Sequence, residues 1–255
     1  ECRSWRQLPT RVTRQKGGLL TILRVLNLVK PLLHPLIMIN VGFWNVRSMN
    51  SRTNQFEINK LLSKNNVGIF GLLETRIKTS NLQNNVFTTD GNWSTVTNYS
   101  QHSGGRIWLI WDPNFFELTD INSYSQCINV KARDRINTQD FWLTLVYGMN
   151  KASERDELWQ LIRQFRQNID GNWCIMEDFN AISSVDDRIG GTTVTNADIQ
   201  PMGSMIADCE ITDLKSKGAY YTWNNKQEEW VIQFPWSFAH FMPEGLYDHC
   251  PCIIR

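Results

Sequence analysis

The stretch Trp173–Ala181 constrains the fold more than any other part of this sequence. Its first four residues are apolar and follow a glycine and an asparagine, a pattern that predicts a fully buried strand after a turn. Asp178 and Asn180 come at the end of this run. Side chains two residues apart on an extended chain lie on the same side, so this pair could receive a metal ion or a phosphate. The alternative is that the two residues only start a turn.

The length of 255 residues suits one large domain or two small ones, and such a chain can bury a substantial core. Hydrophobic residues make up 42% of the sequence and aromatic residues 11%. This composition excludes a disordered chain.

The net charge of +1 conceals an uneven distribution. Residues 1–37 hold seven basic residues and one acid, which leaves residues 38–255 with 19 basic and 24 acidic residues and a net charge of −5. A body with that charge repels a polyanion in bulk. If it binds one, it must do so through a local basic patch or a metal ion.

The six cysteines are scattered along the sequence. Cys250 and Cys252 form the only close pair, and no second pair stands at the spacing of a zinc site. This pattern indicates reduced thiols in an intracellular protein and no disulfide-linked partner.

Residues 1–37 form a basic extension with an apolar end, and we assign it no role. The apolar part from Leu19 to Met38 is interrupted by charged residues and prolines, so it does not predict a membrane span. A short helix over about residues 18–30, ended by Pro31, fits this pattern better. The arginine-rich lead also resembles an organelle transit peptide, which stays open as an alternative.

Residues 38–255 predict one α+β domain of stacked sheets with helices outside. Density of strand-like runs between residues 93 and 147 indicates antiparallel sheet. A helix over Ser153–Ile169 has Ser153 as its possible cap and one apolar stripe. Strands are predicted at Met38–Val46, Val67–Leu73, Trp93–Asn98, Arg106–Trp111, Cys127–Arg133, Phe141–Tyr147, Trp173–Met176, Tyr220–Trp223 and Pro251–Ile254, and further helices at Asn50–Ser63 and about 197–209.

Polar residues recur where these predicted strands end or near the C-terminus. Taken singly each has a structural explanation, as a turn residue, a cap or a core aromatic. Gathered at one sheet edge they would form a site for Mg²⁺, which binds through one or two carboxylates together with phosphate oxygens. The set is Asn45, Glu74, Tyr147, Asp178, Asn180, Asp248 and His249.

Seven stretches of the sequence carry a resemblance to a known family. The chain resembles the endonuclease/exonuclease/phosphatase superfamily, and within it the endonuclease domain of plant LINE-type (non-LTR) retrotransposons. The resemblance covers about residues 38–255 and implies the DNase-like four-layer α/β/β/α sandwich. In family order the stretches are Trp44–Arg47, Leu72–Arg76, Gly105–Trp108, Val146–Gly148, Asp178–Ile182, Tyr221–Trp223 and Asp248–Pro251.

The resemblance implies a role for each candidate residue. Glu74, Asn45 and Asp248 would bind Mg²⁺, with Asn45 also able to contact phosphate. Asp178 would orient or deprotonate the attacking water. The remaining residues would act on the phosphate: Tyr147 and Asn180 as contacts, and His249 by polarising it or relaying a proton.

The sequence departs from the family pattern in four places. Glu177 stands where the family has glycine, and an acid there is expected to raise the pKa of Asp178 or to compete for the metal. Tyr247 replaces a serine, and Ser48 a glycine. The hairpin that carries the family's aspartate partner of the histidine has no counterpart at residues 224–235, because no aspartate occurs between Asp213 and Asp248.

The sequence therefore predicts a Mg²⁺-dependent phosphodiesterase of endonuclease type that nicks DNA. It also predicts that this chain is a degenerate retrotransposon-derived copy and that its activity is low. The resemblance implies a nuclear location. Two alternatives stay open. One is an inactive remnant that only binds nucleic acid or protein, and the other is a phosphoesterase acting on small phosphate esters.

Overall fold

The computed structural model describes residues 23–26, 39–84, 87, 92–184, 193–214, 216–218, 237–243 and 249–254. These residues form two sheets. The first has seven strands in the order β11-β12-β13-β2-β3-β5-β4, and the second has six in the order β10-β1-β9-β8-β7-β6. The strands are β1 Leu23–Leu26, β2 Asn40–Asn45, β3 Val67–Leu73, β4 Ser94–Thr97, β5 Ile107–Trp111, β6 Phe116–Ser123, β7 Cys127–Asp134, β8 Asp140–Tyr147, β9 Trp173–Asp178, β10 Thr212–Asp213, β11 Ser216–Gly218, β12 Ala239–Phe241 and β13 Cys252–Ile254.

Within the described residues, three helices flank the sheets. They are α1 (Arg52–Lys64), α2 (Asp156–Asn168) and α3 (Asn196–Cys209), and short 3-10 turns lie at Thr79–Asn84 and Ala152–Glu154. The α1 helix begins at Ser51, whose side chain accepts a hydrogen bond from the Asn54 N–H. The α3 helix begins with a capping box between Thr195 and Asp198.

Three apolar clusters fill the spaces between the layers. The first lies between the two sheets and includes Phe43, Leu145 and Met176. The second packs β9 and β8 against α2 and α3, and the third packs the other sheet against α1. The order of layers is therefore helix, sheet, sheet, helix, which confirms the α+β sandwich that the sequence predicts.

Most predicted elements occur within one or two residues of their predicted bounds. The Val67–Leu73 strand is buried along its whole length, as the continuous apolar run predicts. Strands between residues 93 and 147 pair antiparallel, although they divide between the two sheets. The predicted strand Tyr220–Trp223 and the expected absence of a hairpin near it lie outside the described residues.

The predicted helix over residues 18–30 is wrong at Leu23–Leu26, which form β1. This strand lies between β9 and β10 and is antiparallel to both, with Leu23 opposite Met176 and Leu26 opposite Trp173. Local helix propensity is a weak determinant that tertiary pairing overrides, and here β9 offers an unpaired edge. Four residues of the basic extension thus belong to the sheet that carries Asp178.

Two further predictions need correction. The α2 helix begins at Asp156, one turn later than predicted, and Ser153 lies in the preceding 3-10 turn instead of capping it. The Phe116–Ser123 strand was not predicted, because most of its residues are polar and exposed. In the part of the chain that the structure describes, no helix is long and apolar enough to cross a membrane.

Candidate active site

Two parallel strand pairs, one in each sheet, end at the same edge of the sandwich. In one sheet β2 and β3 are parallel, and Asn45 lies opposite Leu73, the residue before Glu74. In the other, β8 and β9 are parallel, and Tyr147 lies opposite Asp178. The carboxyl ends of parallel strands share one edge of a sheet, which is why the sequence brings these polar residues together.

A hydrogen bond between the two sheets lies at the centre of the site. The Asn45 amide donates through Nδ2 to Asp178 Oδ2 at 2.6 Å. Both residues are buried, with 3% and 2% of their surfaces exposed. The Arg47 backbone N–H donates to Asn45 Oδ1 at 3.1 Å, which fixes the orientation of the amide. A neutral amide suits this position because a second carboxylate would repel Asp178.

The chain turns sharply after β9 and brings Asn180 back to the site. Asn180 has φ +50°, its N–H donates to Asp178 Oδ1 at 3.3 Å, and its Nδ2 donates to the Gly148 carbonyl at 2.8 Å. The Gly148 N–H in turn donates to the Asp178 carbonyl. The ends of β8 and β9 are thereby joined through main-chain and side-chain hydrogen bonds.

Gly148 allows these two strand ends to approach. A Cβ atom on this residue would lie 2.1 Å from the Phe179 carbonyl oxygen and 2.7 Å from its carbonyl carbon. Both contacts involve backbone atoms, so no side chain could move aside to relieve them. The close approach places Tyr147 and Asp178 side by side.

Glu177, which was expected to disturb Asp178 or to compete for a metal, lies on the face of β9 opposite to Asp178. Side chains alternate along a strand, and Glu177 follows Trp173 and Ile175, which pack against the helices, whereas Cys174 and Met176 face the other sheet. The Glu177 carboxylate is fully buried and its Oε2 accepts a hydrogen bond from the Phe179 N–H at 2.9 Å. It therefore supports the turn from the opposite face of the strand.

Burial sets the protonation chemistry of the centre. Burial raises the pKa of Asp178, and the nearby Glu74 carboxylate raises it further, against the lowering effect of the Asn45 hydrogen bond and of His249. The pKa of Tyr147 is raised by burial and by the negative charges of Glu74 and Asp178. The Tyr147 phenol is therefore protonated at neutral pH and can donate a hydrogen bond.

Glu74 carries the second carboxylate and two arginines contact it. Its side chain is 10% exposed, Arg76 Nη2 donates a hydrogen bond to its Oε1, and Arg47 Nε lies 3.9 Å from its Oε2. All three residues have positive φ, at +55°, +50° and +46° respectively. Non-glycine residues rarely adopt this conformation, and they concentrate at functional sites.

His249 borders the same site. The Trp44 indole N–H donates to the His249 carbonyl at 2.6 Å, which holds the residue beside β2. Arg47 Nε donates to His249 Nε2 at 3.1 Å. A donor at that nitrogen requires Nε2 to carry no proton in this arrangement. Asp248 and residues 224–235, where the family's histidine partner is expected, lie outside the described residues.

The donor set fits a magnesium ion that keeps several waters better than a closed metal cage. Among the described residues, no group of three or more His, Cys, Asp or Glu side chains could hold a metal ion. Mg²⁺ usually binds through one or two carboxylates and keeps several waters, and the Glu74 carboxylate with the Asn45 amide oxygen supplies donors of that kind. The residues present therefore fit the predicted ion.

Three arginines that border the site were not among the residues predicted from the sequence. Arg47 and Arg76 each follow a strand-end polar residue by two positions, and the Arg106 guanidinium carbon lies 5.6 Å from the centre of the Tyr147 ring. The equal spacing after Asn45 and Glu74 was the available signal. These arginines form the local basic patch that a body with net negative charge needs for binding an anion.

The fold of this chain resembles that of several solved structures, whereas its sequence matches no family model and no curated protein. Three solved structures that resemble the fold are an AP endonuclease from Leishmania major (TM-score 0.64, 11% identity, 90% of this chain and 92% of that one), the endonuclease domain of TRAS1, a telomere-specific non-LTR retrotransposon (0.60, 12%, 86% and 98%), and an endonuclease/exonuclease/phosphatase from Bacteroides vulgatus (0.55, 13%, 85% and 97%).

These similarities establish the fold. The chain has the DNase-like α+β sandwich, and its structural neighbours are members of the endonuclease/exonuclease/phosphatase superfamily, including a retrotransposon endonuclease domain. At identities of 11–13% the similarity carries no residue roles to this chain.

Proposed function

We propose that this protein is a Mg²⁺-dependent phosphodiesterase that nicks DNA through the site at the ends of β2, β3, β8 and β9. The observation that carries the proposal is the buried Asn45–Asp178 hydrogen bond, which joins the two sheets beside Glu74, Tyr147 and His249. A buried carboxylate, a second carboxylate, a phenol and an imidazole at one edge can supply a base, a metal ligand and hydrogen-bond donors for phosphodiester hydrolysis.

Asp178 is the base in this proposal. Its raised pKa makes it a stronger proton acceptor than an aspartate in water, and the Asn45 amide holds one of its oxygens in place. It orients a water molecule and accepts the proton as the water oxygen attacks phosphorus. The phosphorus–oxygen bond to the leaving alcohol breaks, and the products are a phosphate monoester and that alcohol.

Three further side chains act on the phosphate. The protonated Tyr147 phenol and the Asn180 amide donate to the non-bridging oxygens, where negative charge increases during attack. Once Arg47 leaves the His249 Nε2 nitrogen and this nitrogen takes up a proton, His249 donates to the phosphate or relays that proton. Glu74 and Asn45, with Asp248, would hold Mg²⁺, which would stabilise the charge on the phosphate oxygens.

DNA is the proposed substrate because charge and resemblance agree. The arginines at the edge are accessible, with 46% of the Arg47 side chain and 61% of the Arg76 side chain exposed. The sequence motifs resemble those of retrotransposon endonucleases, and one structural neighbour is such a domain. We therefore extend the proposal to a retrotransposon-derived endonuclease of plant LINE type that acts in the nucleus.

The proposed activity is slow. The histidine needs a partner that fixes its tautomer, and the sequence has no aspartate between Asp213 and Asp248 to supply one. In a serine protease triad, changing the equivalent carboxylate to an amide lowers kcat by about four orders of magnitude. We expect a smaller but clear deficit, because this reaction does not depend on the histidine as its nucleophile's base.

The proposal is tested with supercoiled plasmid and with small phosphate mono- and diesters, each in MgCl₂ and in EDTA. We expect slow plasmid nicking in MgCl₂ only, lost in Glu74→Gln and kept in the control Glu57→Gln, which removes an exposed acid on α1. Cleavage of small esters alone would instead indicate a phosphoesterase. DNA binding without cleavage of any substrate would indicate an inactive remnant.

A further inference from the structure

The two oxygens of the Glu74 carboxylate are each approached by a different arginine. Arg76 Nη2 donates to Oε1, and Arg47 Nε lies 3.9 Å from Oε2. Carboxylate oxygens that face two guanidinium groups have their negative charge already compensated. Any other cation that binds Glu74 must therefore compete with these arginines for the same oxygens.

The positions of both arginines are fixed by the backbone. The Val46 N–H donates to the Leu73 carbonyl, and the Met49 N–H donates to the Thr75 carbonyl, which ties the segment after β2 to the segment after β3. Positive φ at Arg47 and Arg76 directs the chain at these two positions. These main-chain hydrogen bonds hold the two segments together, so the backbone places both arginines next to Glu74.

Arg47 also joins Glu74 to His249. The same Nε atom that lies near Glu74 donates to His249 Nε2 at 3.1 Å. Arg47 thus occupies the space between the second carboxylate and the imidazole. This is the space in which a cation on Glu74 and a phosphate near His249 would meet.

We propose that Arg47 and Arg76 act as internal counter-cations of Glu74 and that a divalent cation binds by displacing them from its two oxygens. This inference rests on the proposed function, since it takes Glu74 as the cation ligand. About half of each arginine side chain is exposed, so solvent can replace the guanidinium contact once the cation has taken the Glu74 oxygen. Cation binding also releases Arg47 from His249 Nε2.

The test measures Mg²⁺ binding by the rise in melting temperature along a MgCl₂ titration, against NaCl at equal ionic strength. Binding to the folded state alone raises the melting temperature by mass action. Fully exposed ion pairs correspond to roughly a two- to fivefold change in an equilibrium constant, and the 10% exposure of the Glu74 side chain makes this factor a lower bound here. We expect Arg47→Gln and Arg76→Gln each to lower the apparent Kd for Mg²⁺ by at least about that factor, and the double variant to lower it further.

Arg106→Gln is the matched control. It removes one positive charge from the same site, where the Arg106 guanidinium lies over the Tyr147 ring and makes no ion pair with Glu74 among the described contacts. If competition for the Glu74 oxygens matters, Arg106→Gln changes the apparent Kd less than Arg76→Gln does. Equal gains in both variants would show a general field effect and would overturn the inference.

The remaining outcomes separate this inference from the proposed function. An unchanged apparent Kd in Arg47→Gln, Arg76→Gln and the double variant would overturn the inference. The proposed function would still stand if the rise in melting temperature with Mg²⁺ were lost in Glu74→Gln. Mg²⁺ stabilisation that persists in Glu74→Gln would remove Glu74 as the ligand and overturn both. If the unchanged protein shows no response, a response gained in the double variant supports the inference, and none in any variant overturns it.

Discussion

The two halves of the candidate site are held by different kinds of interaction. The buried half consists of Asn45, Tyr147 and Asp178, which have at most 4% of their surface exposed and end three strands of the core. The charged rim consists of Arg47, Glu74, Arg76 and His249, where the arginine side chains are about half exposed. One half is fixed by the sheets, and the other by ion pairs between the buried Glu74 carboxylate and the partly exposed arginines.

The two halves therefore differ in how much free energy it costs to move their side chains. A buried hydrogen bond to a carboxylate costs about 1–3 kcal/mol or more to break, because the partner stays desolvated. Exposed ion pairs contribute about 0–1 kcal/mol and rearrange when another charge arrives. Under the proposed function, the buried half would hold the base in place, whereas the rim would adjust to cations and anions.

The largest expected effect comes from adding one methyl group to the buried half. Gly148→Ala places a Cβ atom 2.1 Å from the Phe179 carbonyl oxygen, so the ends of β8 and β9 must separate. We expect a loss of about 3 kcal/mol or more in the free energy of unfolding, at the upper end for overpacking, together with loss of activity. Urea denaturation of the purified variant measures the change.

Gly203→Ala is the control for that variant. A Cβ atom at this position in α3 would meet nothing within 4 Å, and alanine is favoured over glycine inside a helix by about 0.5–1 kcal/mol. The control should therefore be slightly stabilised. Equal stability of both variants would show that the strand ends are not tightly joined and that the buried half is as adjustable as the rim.

The next effect concerns the strand that flanks β9. Removing residues 1–37 deletes β1, which pairs with both β9 and β10, and leaves the strand of Asp178 with an open edge. We expect a loss of about 2 kcal/mol or more from the main-chain hydrogen bonds alone. A chain that begins at Leu19 keeps β1, and its melting temperature should match that of the full chain. If a chain that begins at Met38 also kept the full melting temperature, β1 would be dispensable.

The smallest effect is a pH dependence of stability that belongs to Asp178. Its pKa is raised in the folded protein, mainly by burial, so the folded state holds this proton more tightly than the unfolded chain does. Stability from this group is therefore present below the unfolded pKa of about 3.9 and falls as pH rises through the raised folded pKa. Asp178→Asn removes this loss.

The measurement compares unfolding free energies of Asp178→Asn and the unchanged protein at several pH values. The variant should gain stability relative to the unchanged protein as the pH rises from 4 to 7. The control Asp170→Asn, at an exposed position, should show little such trend. If the difference in unfolding free energy between the two proteins did not change with pH, burial would not raise the pKa of Asp178.

The sequence predicted the buried half well because burial leaves a strong pattern. The runs ending at Leu73 and Asp178 are continuously apolar or buried, and the predicted ends of both strands lie within two residues of the observed ends. Placement of Asn45 beside Asp178 follows from two parallel strand pairs ending at one edge. Pattern and topology together therefore sufficed for this part of the site.

The rim and β1 could not be predicted for physical reasons. Contacts of Arg47 and Arg76 depend on positive φ values, which no residue type enforces and which glycine alone adopts without a steric cost. The apolar run that contains β1 fits a helix or a strand equally, and only the edge of β9 decides between them. Glu177 is next to Asp178 in sequence but lies on the opposite face of β9, because side chains alternate along a strand.

The most direct test of the account compares plasmid nicking by the unchanged protein and by Asp178→Asn at equal MgCl₂, with both proteins shown to be folded by thermal unfolding. General base catalysis by a positioned side chain contributes about 10²- to 10⁴-fold to a rate. We predict slow nicking by the unchanged protein and a loss of at least about a hundredfold in the variant. Equal nicking rates in two folded proteins would contradict the account, since the buried carboxylate would then take no part in the reaction.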